Sequence, residues 1–166
     1  MLLYLVQHAY AKSKDEDPER PLTDEGFEIA ERMASYADKH LCIDIEKIIH
    51  SGKLRAMQTA DLFGDYLNPP MGVEQAEGLN PGDDPRIWLE KLTKGGDNVM
   101  LVGHLPHLSK LATLLLCGFE GTDKISFTNA GVVCLESDES GFWHLNWMVT
   151  PSIICECDPK SGCCCG

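Results

Sequence analysis

The sequence predicts an α/β fold, a three-layer α/β/α sandwich with a mostly parallel central sheet and a C-terminal antiparallel hairpin. Two runs, Leu2 to Val6 and Val99 to Val102, are continuously apolar, which is how a strand covered on both faces of a parallel sheet reads. Stretches of helical period separate such runs along the chain. Near the end, 131–136 and 142–149 alternate in polarity around Ser137-Asp138-Glu139-Ser140-Gly141, the pattern of a hairpin.

The first strand runs into Gln7-His8-Ala9. A histidine at the carboxyl end of a central strand, beside small residues, sits where open α/β sheets bind ligands. A histidine that merely satisfies its own strand end is the plainer alternative. The charged segment 12–19 then forms a loop placed to rim that edge of the sheet. Thr23 is placed to cap a helix over 24–40, with Asp24 and Glu25 in its first turn and Ile29, Met33, Tyr36 and Ala37 on its apolar side.

Residues 45–50 read as the second strand, with His50 structural before the Ser51-Gly52 turn. A helix follows over 53–67, with Leu54, Met57, Ala60, Leu62 and Phe63 assigned to its apolar side. Arg55 is then expected on another face, near the helix N-terminus, where the partial positive charge suits an anion. Asn68-Pro69-Pro70 ends that helix, and 73–76 is a short third strand. The loop 77–85 is rich in turn formers and holds Glu77, Asp83 and Asp84; Asp84 could cap a helix over 85–92. The fourth strand ends at His104, and 105–117 is apolar enough to be a largely buried helix in which His107 is structural. His144 is expected to be exposed on the hairpin.

His8, His104 and Arg55 thus each follow a strand end. Two imidazoles and a guanidinium converging on one crevice suit a phosphoryl group, which needs a nucleophile and a fork of charged donors. The motifs Leu5-Val6-Gln7-His8-Ala9, Arg20-Pro21-Leu22-Thr23 with Gly26, Ser51 through Arg55-Ala56-Met57-Gln58-Thr59, and Val102-Gly103-His104-Leu105-Pro106 occur in this order. In order and spacing the chain resembles the histidine phosphatase superfamily (phosphoglycerate mutase-like), and within it the SixA-type phosphohistidine phosphatase branch, from about residue 1 to about residue 150.

The resemblance implies a hydrolase that removes a phosphoryl group through a covalent phosphohistidine on His8, with no cofactor and no metal. It implies Arg55 and His104 as catalytic partners, and Gln7, Arg20, Arg55 and His104 as the phosphate-binding set. Glu77, Asp83 and Asp84 become the candidate general acids, with nothing to choose among them. The implied substrate is a phosphorylated protein, a histidine-containing phosphotransfer domain among the options, or a small phosphorylated molecule. One position departs from the family: its first motif reads Arg-His-Gly, and this chain has Gln7-His8-Ala9. Glutamine gives hydrogen bonds but no charge, so the second reading is a degenerate, weakly active or inactive phosphate-binding module.

The 166 residues suit one domain, assigned here to 1–150, followed by a Cys-rich tail over 151–166. With 43% hydrophobic and 24% charged residues the composition is that of a soluble globular protein. The net charge of −12 argues against nucleic acid and anionic membrane as partners. No apolar run has the length of a membrane span or the flanks of a signal peptide, so a cytoplasmic location is expected. Cys42, Cys117 and Cys134 read as small core residues. Cys155, Cys157, Cys163, Cys164 and Cys165 crowd the tail; their spacing fits no regular zinc motif, and a tail without a metal is the expectation.

Overall fold

The computed structural model describes residues 1–119 and 124–154. The elements run β1 (Leu2–Gln7), α1 (Asp24–His40), β2 (Lys47–His50), α2 (Leu54–Leu67), β3 (Val73–Gln75), α3 (Arg86–Lys94), β4 (Val99–Gly103), α4 (His107–Cys117), β5 (Val132–Ser137) and β6 (Trp143–Val149). The six strands form one sheet in the order β3-β2-β4-β1-β5-β6. β3, β2, β4 and β1 are mutually parallel, whereas β5 pairs antiparallel with β1, and β6 antiparallel with β5. The mostly parallel sheet with a closing antiparallel hairpin is therefore present.

Alternate side chains of β1 feed two cores. Leu3 and Leu5 join Leu101, Leu108, Leu111 and Trp88 on the face covered by α3 and α4. Tyr4 and Val6 join Met33, Ala34, Ala56, Ala60 and Phe63 on the face covered by α1 and α2. Covering both faces requires apolar residues at every position, which is why β1 and β4 read as continuous runs.

Local chemistry starts α1 as expected: Thr23 is extended, and its side chain accepts from the Gly26 amide at 3.0 Å. Gly26 has a further reason to be glycine. A Cβ there would fall inside contact distance of the Tyr10 carbonyl oxygen, because the chain after β1 runs directly under this turn.

Two expectations are corrected. α2 is rotated from its expected orientation: Arg55, Ala56, Thr59, Ala60 and Phe63 are its buried residues, while Met57 is exposed. Alanines at 56 and 60 let the helix lie close to the sheet, and that choice of face carries Arg55 inward. Cys42 is exposed, with a left-handed φ of 46°, rather than a core residue; Cys134 is fully buried, and Cys117 lies between. The cysteines from Cys155 onward lie outside the described residues.

Candidate active site

Three neighbouring parallel strands, β2, β4 and β1, end at the same edge of the sheet. Register places Gln7 beside Gly103 and His50 beside Val102, so the residues that follow each strand emerge together. This is the carboxyl edge where open α/β sheets hold ligands. The His8 amide continues the ladder by donating to the Gly103 carbonyl at 3.1 Å, and the rings of His8 and His104 lie 4.9 Å apart between centroids.

His8 Nδ1 lies 2.7 Å from the Ala9 carbonyl oxygen. A carbonyl only accepts, so Nδ1 carries the proton and Nε2 keeps its lone pair. Arg55 Nε donates to that Nε2 at 3.1 Å. On the other ring, His104 Nε2 pairs with Ser51 Oγ at 2.6 Å. Among the described residues His104 Nδ1 has no hydrogen-bond partner, and neither does the Gln7 side-chain oxygen, Oε1.

Burial is the main reason both rings are neutral. It pushes His8 down to about 4, the Ala9 hydrogen bond opposing this and the charges of Arg55 and Arg20 adding to it. It pushes His104 down to about 3, with His8, Arg55, Lys53 and His107 contributing in the same direction. Arg55 is itself lowered, first by burial and then by Arg20. The site is thus a local concentration of positive charge in a chain of net charge −12.

Of the residues singled out from sequence, His8, Arg55, His104 and Gln7 meet at this edge. Arg20 stands close enough for its charge to act on His8 and Arg55, and its Nε donates to the Lys12 carbonyl at 3.1 Å. The three carboxylates do not join the hydrogen-bond set. Asp83 accepts from the Asn80 amide and side chain, Asp84 accepts from the Arg86 amide, and Glu77 is exposed. His50 is structural, its Nδ1 accepting from the Gly52 amide at 3.1 Å. His107 is fully buried, and neither ring nitrogen is hydrogen-bonded among the described residues; His144 is exposed beside Asp138.

Two supports of the site have no role assigned by the sequence pattern, although Thr59 falls within the motif that runs from Ser51. Asn129 Nδ2 donates to the His8 carbonyl at 2.8 Å, from a position whose local pattern is no more than a polar residue before a strand. Thr59 sits at 0% exposure; its hydroxyl donates to the Arg55 carbonyl at 2.7 Å and accepts from the Ala9 amide at 3.1 Å. It therefore ties the backbone of the arginine to the backbone beyond the histidine. Lys53 is the N-cap residue of α2, and its charge acts on the His104 ring. Among the described residues no group of three or more histidine, cysteine or acidic side chains could hold a metal ion, and no helix is long and apolar enough to cross a membrane.

No family model matches the chain. It is 31% identical over 156 residues to the phosphohistidine phosphatase SixA of Escherichia coli strain K12, covering 91% of this chain and 94% of the relative. The protein histidine phosphatase SixA solved with tungstate superposes with a TM-score of 0.79 at 30% identity, covering 92% of this chain and 98% of that one. The alpha-ribazole phosphatase of Shigella flexneri shares the fold alone, with a TM-score of 0.70 at 15% identity over 91% of this chain and 97% of the other. With its two apposed imidazoles at the carboxyl edge of the sheet, the chain belongs to the SixA branch of the histidine phosphatase superfamily.

Proposed function

We propose that the chain is a phosphatase acting on protein phosphohistidine through a covalent intermediate on His8. The observation that carries this reading is the state of His8: Nδ1 is committed to the Ala9 carbonyl at 2.7 Å, and the ring is neutral down to about pH 4. A neutral imidazole with a fixed tautomer has one lone pair, on Nε2, aimed at the same space as Arg55 and His104.

In the first step Nε2 forms a bond to phosphorus as the bond to the leaving group breaks, and the leaving group takes the electron pair. In the second, water attacks the phosphorus of phospho-His8, releasing phosphate and returning the lone pair to Nε2. Arg55 moves its donors from Nε2 to the phosphoryl oxygens, and His104 offers Nδ1 to the same group. Fixed donors there act on charge that spreads over the equatorial oxygens.

The choice of phosphohistidine rests on the weak provision for a general acid. Asp83 and Asp84 are engaged within their own loop, and an imidazole departs more readily than an alkoxide. A basic or neutral protein surface around the phosphorylated histidine would also meet less repulsion from a chain of net charge −12.

Gln7 favours a second reading, a phosphate-binding module with little turnover. Losing one charged donor from such a site removes about a hundredfold in rate. Phosphate release from a phosphohistidine-bearing protein and from an aryl phosphate, by the native chain, His8→Ala and Gln7→Arg, separates the two. Native turnover that disappears in His8→Ala supports the phosphatase. An inert native chain rescued by Gln7→Arg supports the binding module instead.

A further inference from the structure

We propose that Lys53 binds the transferred phosphoryl group and supplies the positive charge that Gln7 does not. The inference rests on the phosphatase reading and concerns the same site.

Lys53 lies between two residues that touch the histidines. Two positions before it, Ser51 Oγ is 2.6 Å from His104 Nε2; two positions after it, Arg55 Nε is 3.1 Å from His8 Nε2. Lys53, Arg20 and Arg55 line a cleft of about 320 Å³ together with one carboxylate, Glu19. The charge of Lys53 reaches the His104 ring.

The company it keeps is unusual for this chain. Acidic residues outnumber basic ones 26 to 14, and Lys47 and Lys94 pair with Glu74 and Glu90. The Lys53 side chain makes no ion pair or hydrogen bond among the described residues, and it stands with two guanidiniums instead. Three cations sharing a cleft repel one another, and an anion with several oxygens reverses the sign of that interaction.

The helix adds to the effect. α2 follows its N-cap Lys53 with no side-chain cap and no acidic residue in its first turn. The Ala56 amide donates to the Lys53 carbonyl at 2.8 Å. The Leu54 and Arg55 amides, with no acceptor among the described residues, are left facing an incoming anion. At the end of β1, the position that carries arginine in the family's first motif carries an uncharged amide here, Gln7. A lysine gives a single mobile point charge rather than a planar fork, so it can restore attraction for the phosphoryl group while orienting it less strictly.

The test is a double-mutant cycle on the full chain: native, Lys53→Met, Gln7→Arg and the double variant. Two quantities are measured at one ionic strength, the Kd for inorganic phosphate by calorimetry and kcat/KM on a phosphohistidine-bearing protein. Lys53→Met is expected to weaken both by about tenfold in the native background, as for loss of one charged hydrogen bond, and by less than about threefold in the Gln7→Arg background. Lys94→Met serves as the surface control and should change neither. Lys53 is exposed and its side chain has no partner among the described residues, so the variant should keep the native melting temperature.

Equal losses in both backgrounds, or no loss in the native one, would overturn the proposal. If turnover needs His8 but ignores Lys53, the phosphatase reading survives and this inference fails. If no protein turns over yet phosphate binding follows the expected cycle, the phosphatase reading fails and the assignment of Lys53 stands.

Discussion

Arg55 Nε rests 3.1 Å from His8 Nε2, so in the resting site the guanidinium occupies the lone pair that attack on phosphorus requires. Arrival of a phosphoryl group gives the same donors a charged acceptor, and charge-assisted hydrogen bonds are about twice as strong as neutral ones. In the proposed mechanism, substrate binding thereby frees His8 Nε2.

Arg55→Gln should therefore lower kcat by about a hundredfold or more, the effect of removing one preorganised charged donor. It should also raise the His8 pKa, because the arginine charge is one of the causes holding it down. NMR titration of the His8 ring reads the second effect without any turnover. An unchanged His8 titration would show that the two side chains are not in contact.

Acid should act on stability and on activity at different pH. His8 is lowered from 6.5 to about 4 and His104 to about 3, and His50 and His107 are lowered as well. Between the ordinary value and the folded one, the unfolded chain binds more protons than the folded chain, so stability increases with pH in that window. The contribution is fully present above about pH 6.5 and is lost as pH falls through about 4. Melting temperature should decline steadily over this range. On the acid side, kcat/KM corrected for substrate ionisation should stay level down to about pH 4, and a fall centred near 6.5 would mean that His8 is not held neutral.

Thr59→Val keeps the shape of the side chain and removes its hydroxyl. The Ala9 amide would then be buried without an acceptor, which costs about 1–3 kcal/mol. Chemical denaturation should show that loss, and kcat should fall with it because Ala9 supplies the carbonyl that fixes the His8 tautomer. A loss below about 0.5 kcal/mol would mean that this hydrogen bond is replaceable by water.

Gly26→Ala should destabilise the fold by about 2 kcal/mol or more, since the added methyl must displace the Tyr10 backbone rather than a flexible side chain. The displaced segment lies two residues from His8, so activity should fall further than stability alone explains. Wild-type stability in this variant would contradict the close approach of α1 to the chain after β1.

Much of this is legible in the sequence because it rests on local rules. Continuous apolar runs mark β1 and β4, Thr23 marks the start of α1, and histidines after strand ends mark the edge where ligands bind. What is illegible depends on tertiary packing. The face of α2 misleads because Leu54 and Met57 look like core residues, whereas the helix packs through Ala56 and Ala60 and so buries Arg55 and Thr59. Asn129 meets His8 across 121 positions of sequence, a contact that no local pattern announces. Cys42 looks apolar from its neighbours, but the chain turns there with a φ of 46° and leaves it in solvent.

The central claim is that His8 carries the phosphoryl group during turnover, and the direct measurement is rapid quench at neutral pH followed by mass spectrometry of the digested protein. A phosphate adduct should accumulate within a single turnover on the peptide containing His8, decay at the rate of phosphate release, and be absent from His8→Ala. Phosphate release at full rate with no adduct on that peptide, or persistence of turnover in His8→Ala, would contradict the account.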